Sequence, residues 1–142
     1  MKNSTEYYQN SINVNKPSLL LSRFFKLKFT KKLKGNTVVE LGCGAGNDTM
    51  FLLDKGFKVT AIDNNPQVKD ILLKRAENNK NLEVIIDDFS KVQLNKTDLI
   101  LANFSLFFVK NGFDTLLKNV LKNINKEGFF CRKLPWKRRW LD

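Results

Sequence analysis

Two rhythms of hydrophobic and polar positions alternate along this chain. Short apolar runs rich in β-branched residues occur at Val38-Val39, Phe57 to Ile62, Leu82 to Ile86 and Thr97 to Ala102. Each reads as a strand buried on both faces, as in a parallel sheet. A fifth run begins at Phe129-Phe130, after a turn over Asn125 to Gly128. Between the runs the spacing becomes helical. Leu20, Leu21, Phe24, Phe25 and Leu27 form a broad face on a helix that opens at Pro17 and closes through Lys31, Lys32, Lys34 and Gly35. Val68, Ile71, Leu72 and Ala76 mark a second stripe, started by Asn64-Asn65-Pro66 and running to about Glu77. Phe113, Leu116, Leu117, Val120, Leu121 and Ile124 mark a third, after the turn Asn111-Gly112. Such alternation of strand and helix predicts an open α/β sheet with helices on both faces. Residues 1–16 are polar, with Tyr7 and Tyr8 as their only aromatics, and form an N-terminal segment before it.

The candidate chemistry lies in Thr37 to Pro66, TVVELGCGAGNDTMFLLDKGFKVTAIDNNP. The first strand ends in an acid, Glu40. Gly42, Gly44 and Gly46 then make a turn that backbone and ligand can approach closely. Asn47 is placed to cap the helix that follows, Gly56 to stop it, and the second strand ends in Asp63. Two acids at the ends of neighbouring parallel strands, with a glycine turn between them, describe a nucleoside-binding crevice. A dinucleotide fingerprint would place its third glycine at position 47, which is Asn47.

The spacing G-x-G-x-G, with Glu40 two residues upstream and Asp63 at the second strand's end, resembles the first two motifs of class I S-adenosylmethionine-dependent methyltransferases. The resemblance covers about Pro17 to Phe130 and looks closest to small bacterial enzymes of the tellurite-resistance type, or to general small-molecule methyltransferases. It implies a Rossmann-like sheet of order 3-2-1-4-5. It also implies that Glu40, Gly42, Gly44 and Gly46 cradle the methionine part of S-adenosylmethionine, and that Asp63, with Asn64 beside it, binds the ribose. Asp87-Asp88-Phe89 resembles the third motif. There Asp88, or else Asp87, meets the adenine amino group and Phe89 packs on the ring. Asn103 resembles the start of the fourth motif, near the transferred methyl, with Ser105 the other polar group there. Phe107 and Phe108 read as core, and Phe104 as either core or pocket wall. Relatives often fold an N-terminal segment over the cofactor, which makes Tyr8 a candidate cover, although plain surface packing is the preferred reading of that side chain. No catalytic residue is assigned, since direct displacement of the methyl needs alignment more than a base.

Composition narrows this further. With 142 residues the chain is one domain at most. The family's sheet has seven strands, and five are supplied here, so the last two are expected to be lacking. The opening MKNSTEYYQNS has no apolar core of a leader, and no run approaches a membrane span, so a soluble cytoplasmic protein without a membrane partner is expected. There is no histidine, and two cysteines form neither a disulfide framework nor a metal site. The net charge of +11 raises nucleic acid as a partner, but the lysines are spread along the chain and not interleaved with aromatics.

From Cys131 the composition changes to CRKLPWKRRWLD. Both tryptophans and three of the five arginines fall in these twelve residues. One reading is a basic tail for nucleic acid or anionic lipid. The reading preferred is a slip of the reading frame near Phe130, because the allowed codons read one base later permit a glycine-containing strand, an acidic stretch and tryptophan. The chain is thus read as residues 1–16, a methyltransferase domain over 17–130, and an anomalous basic tail over 131–142. The expected function is transfer of a methyl group from S-adenosylmethionine to a small-molecule acceptor. The alternatives are a shortened, inactive domain that at most binds the cofactor, and a basic nucleic-acid-binding protein.

Overall fold

The computed structural model describes residues 4–27, 31, 33, 35–103, 105–109 and 111–133. Phe104, Lys32, Lys34 and the tail from Leu134 onward, with both tryptophans, lie outside the described residues. In chain order the elements are α1 (Ser4–Val14), α2 (Leu19–Lys26), β1 (Thr37–Leu41), α3 (Asn47–Asp54), β2 (Lys58–Asp63), α4 (Gln67–Arg75), β3 (Leu82–Ile86), β4 (Thr97–Asn103), a 3-10 turn (Ser105–Phe108), α5 (Phe113–Asn123) and β5 (Ile124–Lys133). The five strands form one parallel sheet in the order β3-β2-β1-β4-β5, the expected Rossmann-like arrangement.

β1 is central, and its residues show why the sheet buries both faces. Side chains alternate along a strand, so Val38 and Val39 enter different cores. Val38 joins Leu52, Val59, Leu72 and Leu99 beneath α2, α3 and α4. Val39 joins Leu41, Ile62, Ile100, Leu116 and Val120 beneath α5. Phe24 of α2 meets Phe25 and Phe129 edge to face, with ring centroids 5.2 and 5.5 Å away.

Several helix ends differ from expectation for identifiable reasons. α2 starts after Pro17, because Ser18 is its cap; the Ser18 hydroxyl accepts from the Leu21 N–H at 3.2 Å. The same hydroxyl and the Ser18 N–H donate to the Asp48 carboxylate at 2.8 and 2.6 Å, pinning α2 to the start of α3. α2 ends at Lys26, where Leu27 turns extended. Asn47 does not cap α3. Gly46 holds that position at φ +89°, and the Asn47 side chain is drawn away to α1 and α4. At α4, Asn65 accepts from the Gln67 N–H at 3.0 Å, with Pro66 fitting the first turn.

β5 begins five residues earlier than the phenylalanine run, at Ile124. The expected turn becomes an irregularity inside the strand: Thr97 pairs with Ile124, Leu99 already pairs with Phe129, and Glu127 takes φ +68°. β5 also continues past Phe130 into the segment read as a basic tail, through Arg132 and Lys133. They pair with Ala102 and Asn103, and Arg132 remains exposed.

At the amino ends of the strands, Asp98 forms a clasp. One carboxylate oxygen accepts from the Thr37 hydroxyl at 2.6 Å and the Thr37 N–H at 3.0 Å, and the other accepts from Asn125 at 3.0 Å. Burial alone would raise the Asp98 pKa, but these hydrogen bonds outweigh it and hold the carboxyl below its ordinary range.

Gly46 gives a direct test of the loop geometry. A Cβ there would sit 2.9 Å from Cδ1 of the fully buried Leu72, at a φ that side chains rarely adopt. Gly46→Ala is expected to destabilise the fold by about 2–4 kcal/mol, read as a lower urea midpoint at unchanged slope. An unchanged midpoint would show that the loop adapts.

Candidate active site

The carboxyl ends of β1, β2, β3 and β4 open onto three adjoining cavities. The largest, about 550 Å³, is lined by Tyr8, Gly42, Asp63, Asn64, Phe89 and Ser105, among others. A second, of about 220 Å³, lies over the glycine turn against Glu40, Gly46, Ser11 and Asp48. These two share Tyr7, Gly42, Gly44 and Asn103. A third, of about 370 Å³, is lined by Asp88, Ser90 and Lys91 and shares Asn64 and Phe89 with the first. The nine residues singled out from the sequence therefore lie along one cleft: Glu40, Gly42, Gly44, Gly46 and Asn103 at one end, Asp63, Asn64 and Phe89 in the middle, and Asp88 at the other end.

The glycine turn is built from backbone pairing and one carboxylate. Gly42 and Cys43 donate N–H groups to the Ile62 carbonyl at 2.8 and 3.2 Å, which carries the turn across to β2. Asp63 then accepts from the Gly44 N–H through one oxygen and from the Asn65 N–H through the other, both at 3.0 Å. Gly42, at φ +75°, has no room for a Cβ because Ser105 stands against it. Gly44, at φ +53°, is different: a Cβ there would project into open space.

Three acids surround this turn. Glu40 is 5% exposed and accepts from the Thr49 hydroxyl at 2.6 Å. Burial, reinforced by the charges of Asp48 and Asp63 against the Thr49 hydrogen bond, pushes its pKa up to about 8. Burial also raises Asp48, opposed by its two bonds from Ser18. At the other end Asp88 is exposed; hydrogen bonds from the hydroxyl and N–H of Ser90, both on one oxygen, draw its pKa down. Asp87 accepts from the Asp88 N–H at 2.7 Å and is also exposed. On the β4 side, Asn103 Oδ1 and Ser105 Oγ are buried without a hydrogen-bond partner.

Sequence reasoning raised Tyr8 as a candidate cover but missed that residues 4–14 form a helix and that Tyr7 and Ser11 join Tyr8 in the wall of the cleft. The Tyr8 hydroxyl accepts from Asn65 at 2.8 Å, which seats that ring beside Asp63. Burial, then the Asp63 charge, raises the Tyr8 pKa. Asp48 and Arg75 were also missed. No group of three or more histidine, cysteine or acidic side chains suited to a metal occurs among the described residues. No described helix is long and apolar enough to cross a membrane.

The comparisons with known proteins bear on the family and the fold. The methyltransferase-domain family model matches residues 38–128. The chain is 31% identical over 96 residues to the ribosomal RNA small subunit methyltransferase A of Mesomycoplasma hyopneumoniae, covering 66% of this chain and 35% of that protein. It is 34% identical over 68 residues to an rRNA adenine N-6-methyltransferase of Bacillus licheniformis, covering 48% of this chain and 24% of that one. It thus spans about a quarter to a third of these curated relatives. Among solved structures it resembles the N-methyltransferase NodS of Bradyrhizobium japonicum, at 18% identity and a TM-score of 0.66, over 91% of this chain and 71% of that one. With the family model covering more than half of its residues, the chain belongs to the methyltransferase-domain family, of the class I S-adenosylmethionine-dependent kind.

Proposed function

We propose that this chain binds S-adenosylmethionine along the cleft and directs its methyl group to an amino group of a small-molecule acceptor. The observation that carries the reading is the continuity of the cleft, from buried acid through open glycine turn to exposed acid. The residues present suit the cofactor. Gly44 leaves space where a side chain would block a ligand, and two buried oxygens at the β4 end lack partners.

On this reading Glu40, Gly42, Gly44 and Gly46 hold the methionine part. Asp63 and Asn64 hold the ribose, and Asp88 and Phe89 the adenine. The bound cofactor supplies an electrophilic methyl on a positively charged sulfur. The chain's own residues orient and select. The carboxylates about the glycine turn favour a cationic ligand. Asn103 and Ser105 offer lone pairs to the N–H groups of an amine, and buried oxygens left unpaired cost about 1–3 kcal/mol each, so an acceptor that satisfies them is favoured. No histidine is needed, since a neutral amine attacks with its own lone pair.

A second acceptor reading is the amino group of a base in RNA. It is favoured by the names of the two curated relatives and by the net charge of +11. Label transfer from the cofactor to a panel of small amines, run beside transfer to structured ribosomal RNA fragments, separates the two.

The cofactor reading itself is tested by calorimetry with S-adenosylmethionine and S-adenosylhomocysteine. Wild type is expected to bind both. Gly44→Ala is expected to remain folded, at a cost of about 1 kcal/mol for its left-handed backbone, yet to bind at least tenfold more weakly. Equal binding by the two proteins would remove the glycine turn from the site.

A further inference from the structure

Arg75, the last residue of α4, has no part in the chemistry proposed above, yet it touches three segments that frame the cleft. One guanidinium nitrogen donates to the Ala45 carbonyl in the glycine turn at 2.6 Å and to Asn47 Oδ1 at 2.9 Å. The other donates to Asn15 Oδ1 at 3.1 Å, just beyond α1. Asn47 in turn donates through its amide nitrogen to the Ser11 carbonyl of α1 at 2.8 Å. The network therefore runs from α4 through the glycine turn and the first residue of α3 to α1.

Its chemistry is unusual for a surface arginine. The three acceptors are neutral, so these contacts act as oriented, charge-assisted hydrogen bonds and not as ion pairs. The guanidinium fork fits them because its donors lie in a fixed plane, which a lysine cannot reproduce. Meanwhile α1 lies on the outside of the fold. Tyr7 and Val14 are each 61% exposed, and the polar ties of α1 to the body include those of Tyr8, Ser11 and the adjoining Asn15. Yet α1 supplies Tyr7 and Ser11 to the wall of the cleft.

We infer that Arg75 is a positioning residue that latches α1 to the glycine turn, so that docking of α1 and binding in the cleft reinforce each other. The inference rests on the cleft being the S-adenosylmethionine site. Arg75 touches neither cofactor nor acceptor in this scheme. It acts through Ala45, Asn47 and Asn15.

Two measurements test the latch, one of them free of any ligand. In hydrogen exchange on the unliganded protein, Arg75→Met is expected to speed exchange at least tenfold across α1. Exchange in β1, β2 and β4 should stay at the wild-type rate. In calorimetry, Arg75→Met is expected to weaken S-adenosylmethionine binding roughly ten- to a hundredfold. Asn47→Ala should weaken it similarly, and the double variant no further than the worse single one. Arg75→Lys, which can keep the Ala45 contact but not the fork, should fall between, and it serves if Arg75→Met fails to fold. Unchanged α1 exchange, a wild-type dissociation constant, or losses that multiply in the double variant would each overturn the latch. A wild-type protein that binds no S-adenosylmethionine overturns the coupling and the cofactor reading together, and the exchange measurement then still decides whether Arg75 holds α1.

Discussion

Asp63→Ala is expected to weaken S-adenosylmethionine binding by at least a hundredfold, the largest effect of any single substitution along the cleft. The reason is that Asp63 has two tasks. In the unliganded protein its oxygens take the Gly44 and Asn65 N–H groups at 3.0 Å each, fixing the glycine turn and the entry to α4. On the proposed reading its remaining lone pairs accept the ribose hydroxyls. Alanine removes both, and hydrogen bonds to a charged group contribute about 1.5–3 kcal/mol each. Asp63→Asn separates the tasks, because the amide keeps one acceptor while losing the charge; an intermediate affinity is expected. Calorimetry on the three proteins decides, and an Asp63→Ala protein that binds like wild type would refute the ribose assignment.

The second large effect is a dependence on pH set by Glu40. Its carboxyl, pushed up to about 8 by burial and by Asp48 and Asp63, is protonated at neutral pH in the unliganded protein. The ammonium of a bound methionine group favours the ionised form, so binding releases a proton. Affinity should then rise from pH 6 toward pH 8, by up to about tenfold per unit. It should fall again as the ligand's amino group, of ordinary pKa about 7.7–8.0, loses its own proton. Glu40→Gln is expected to lose the rise. Stability runs the other way. The unfolded chain ionises Glu40 near 4.5 while the folded chain holds the proton to about 8, so the unliganded protein loses stability as pH climbs through that window. Denaturant titrations at pH 5 and pH 8 should show that loss in wild type and less of it in Glu40→Gln. Parallel pH profiles for the two proteins, in binding and in stability, would exclude the role.

Where the sequence was legible, local chemistry decided the structure. Leu82–Ile86 is the third strand with both bounds as expected, because an apolar run between polar turns has few alternatives. The stretch from β1 to β2 was legible for the same reason, with glycines and acids as punctuation. The misses are matters of distance or of competition. α1 carries too few buried apolar residues to announce itself, and it is held by side chains that are remote in sequence. Asn47 has the right chemistry for a cap, but Gly46 already occupies the left-handed position and Arg75 competes for the amide. The early start of β5 was hidden because Asn125, Lys126 and Glu127 look like a turn, whereas they form an irregularity within the strand. The sequence put Asp88 ahead of Asp87 only through its likeness to the third motif. Of the two, Asp88 lines the cavity that adjoins Phe89, although both acids are exposed.

The Asp98 clasp has a consequence for the order in which this domain comes together. Thr37 and Asp98 are 61 residues apart, and β1 finds its second neighbour only when β4 arrives. Closing so long a loop costs entropy before any contact compensates. Strands β1 to β3, with α3 and α4, can associate earlier through shorter connections. They would do so with one flank of β1 unpaired, and with neither Asn103 nor Ser105 beside the glycine turn. The pairing of longest sequence separation in the sheet is thus also the step that, on the proposed reading, creates the acceptor side of the cleft. A nascent chain that has emerged only through β3 holds Glu40, Asp63 and the glycine turn but, on the proposed reading, neither the adenine end of the cleft nor a place for the molecule to be methylated.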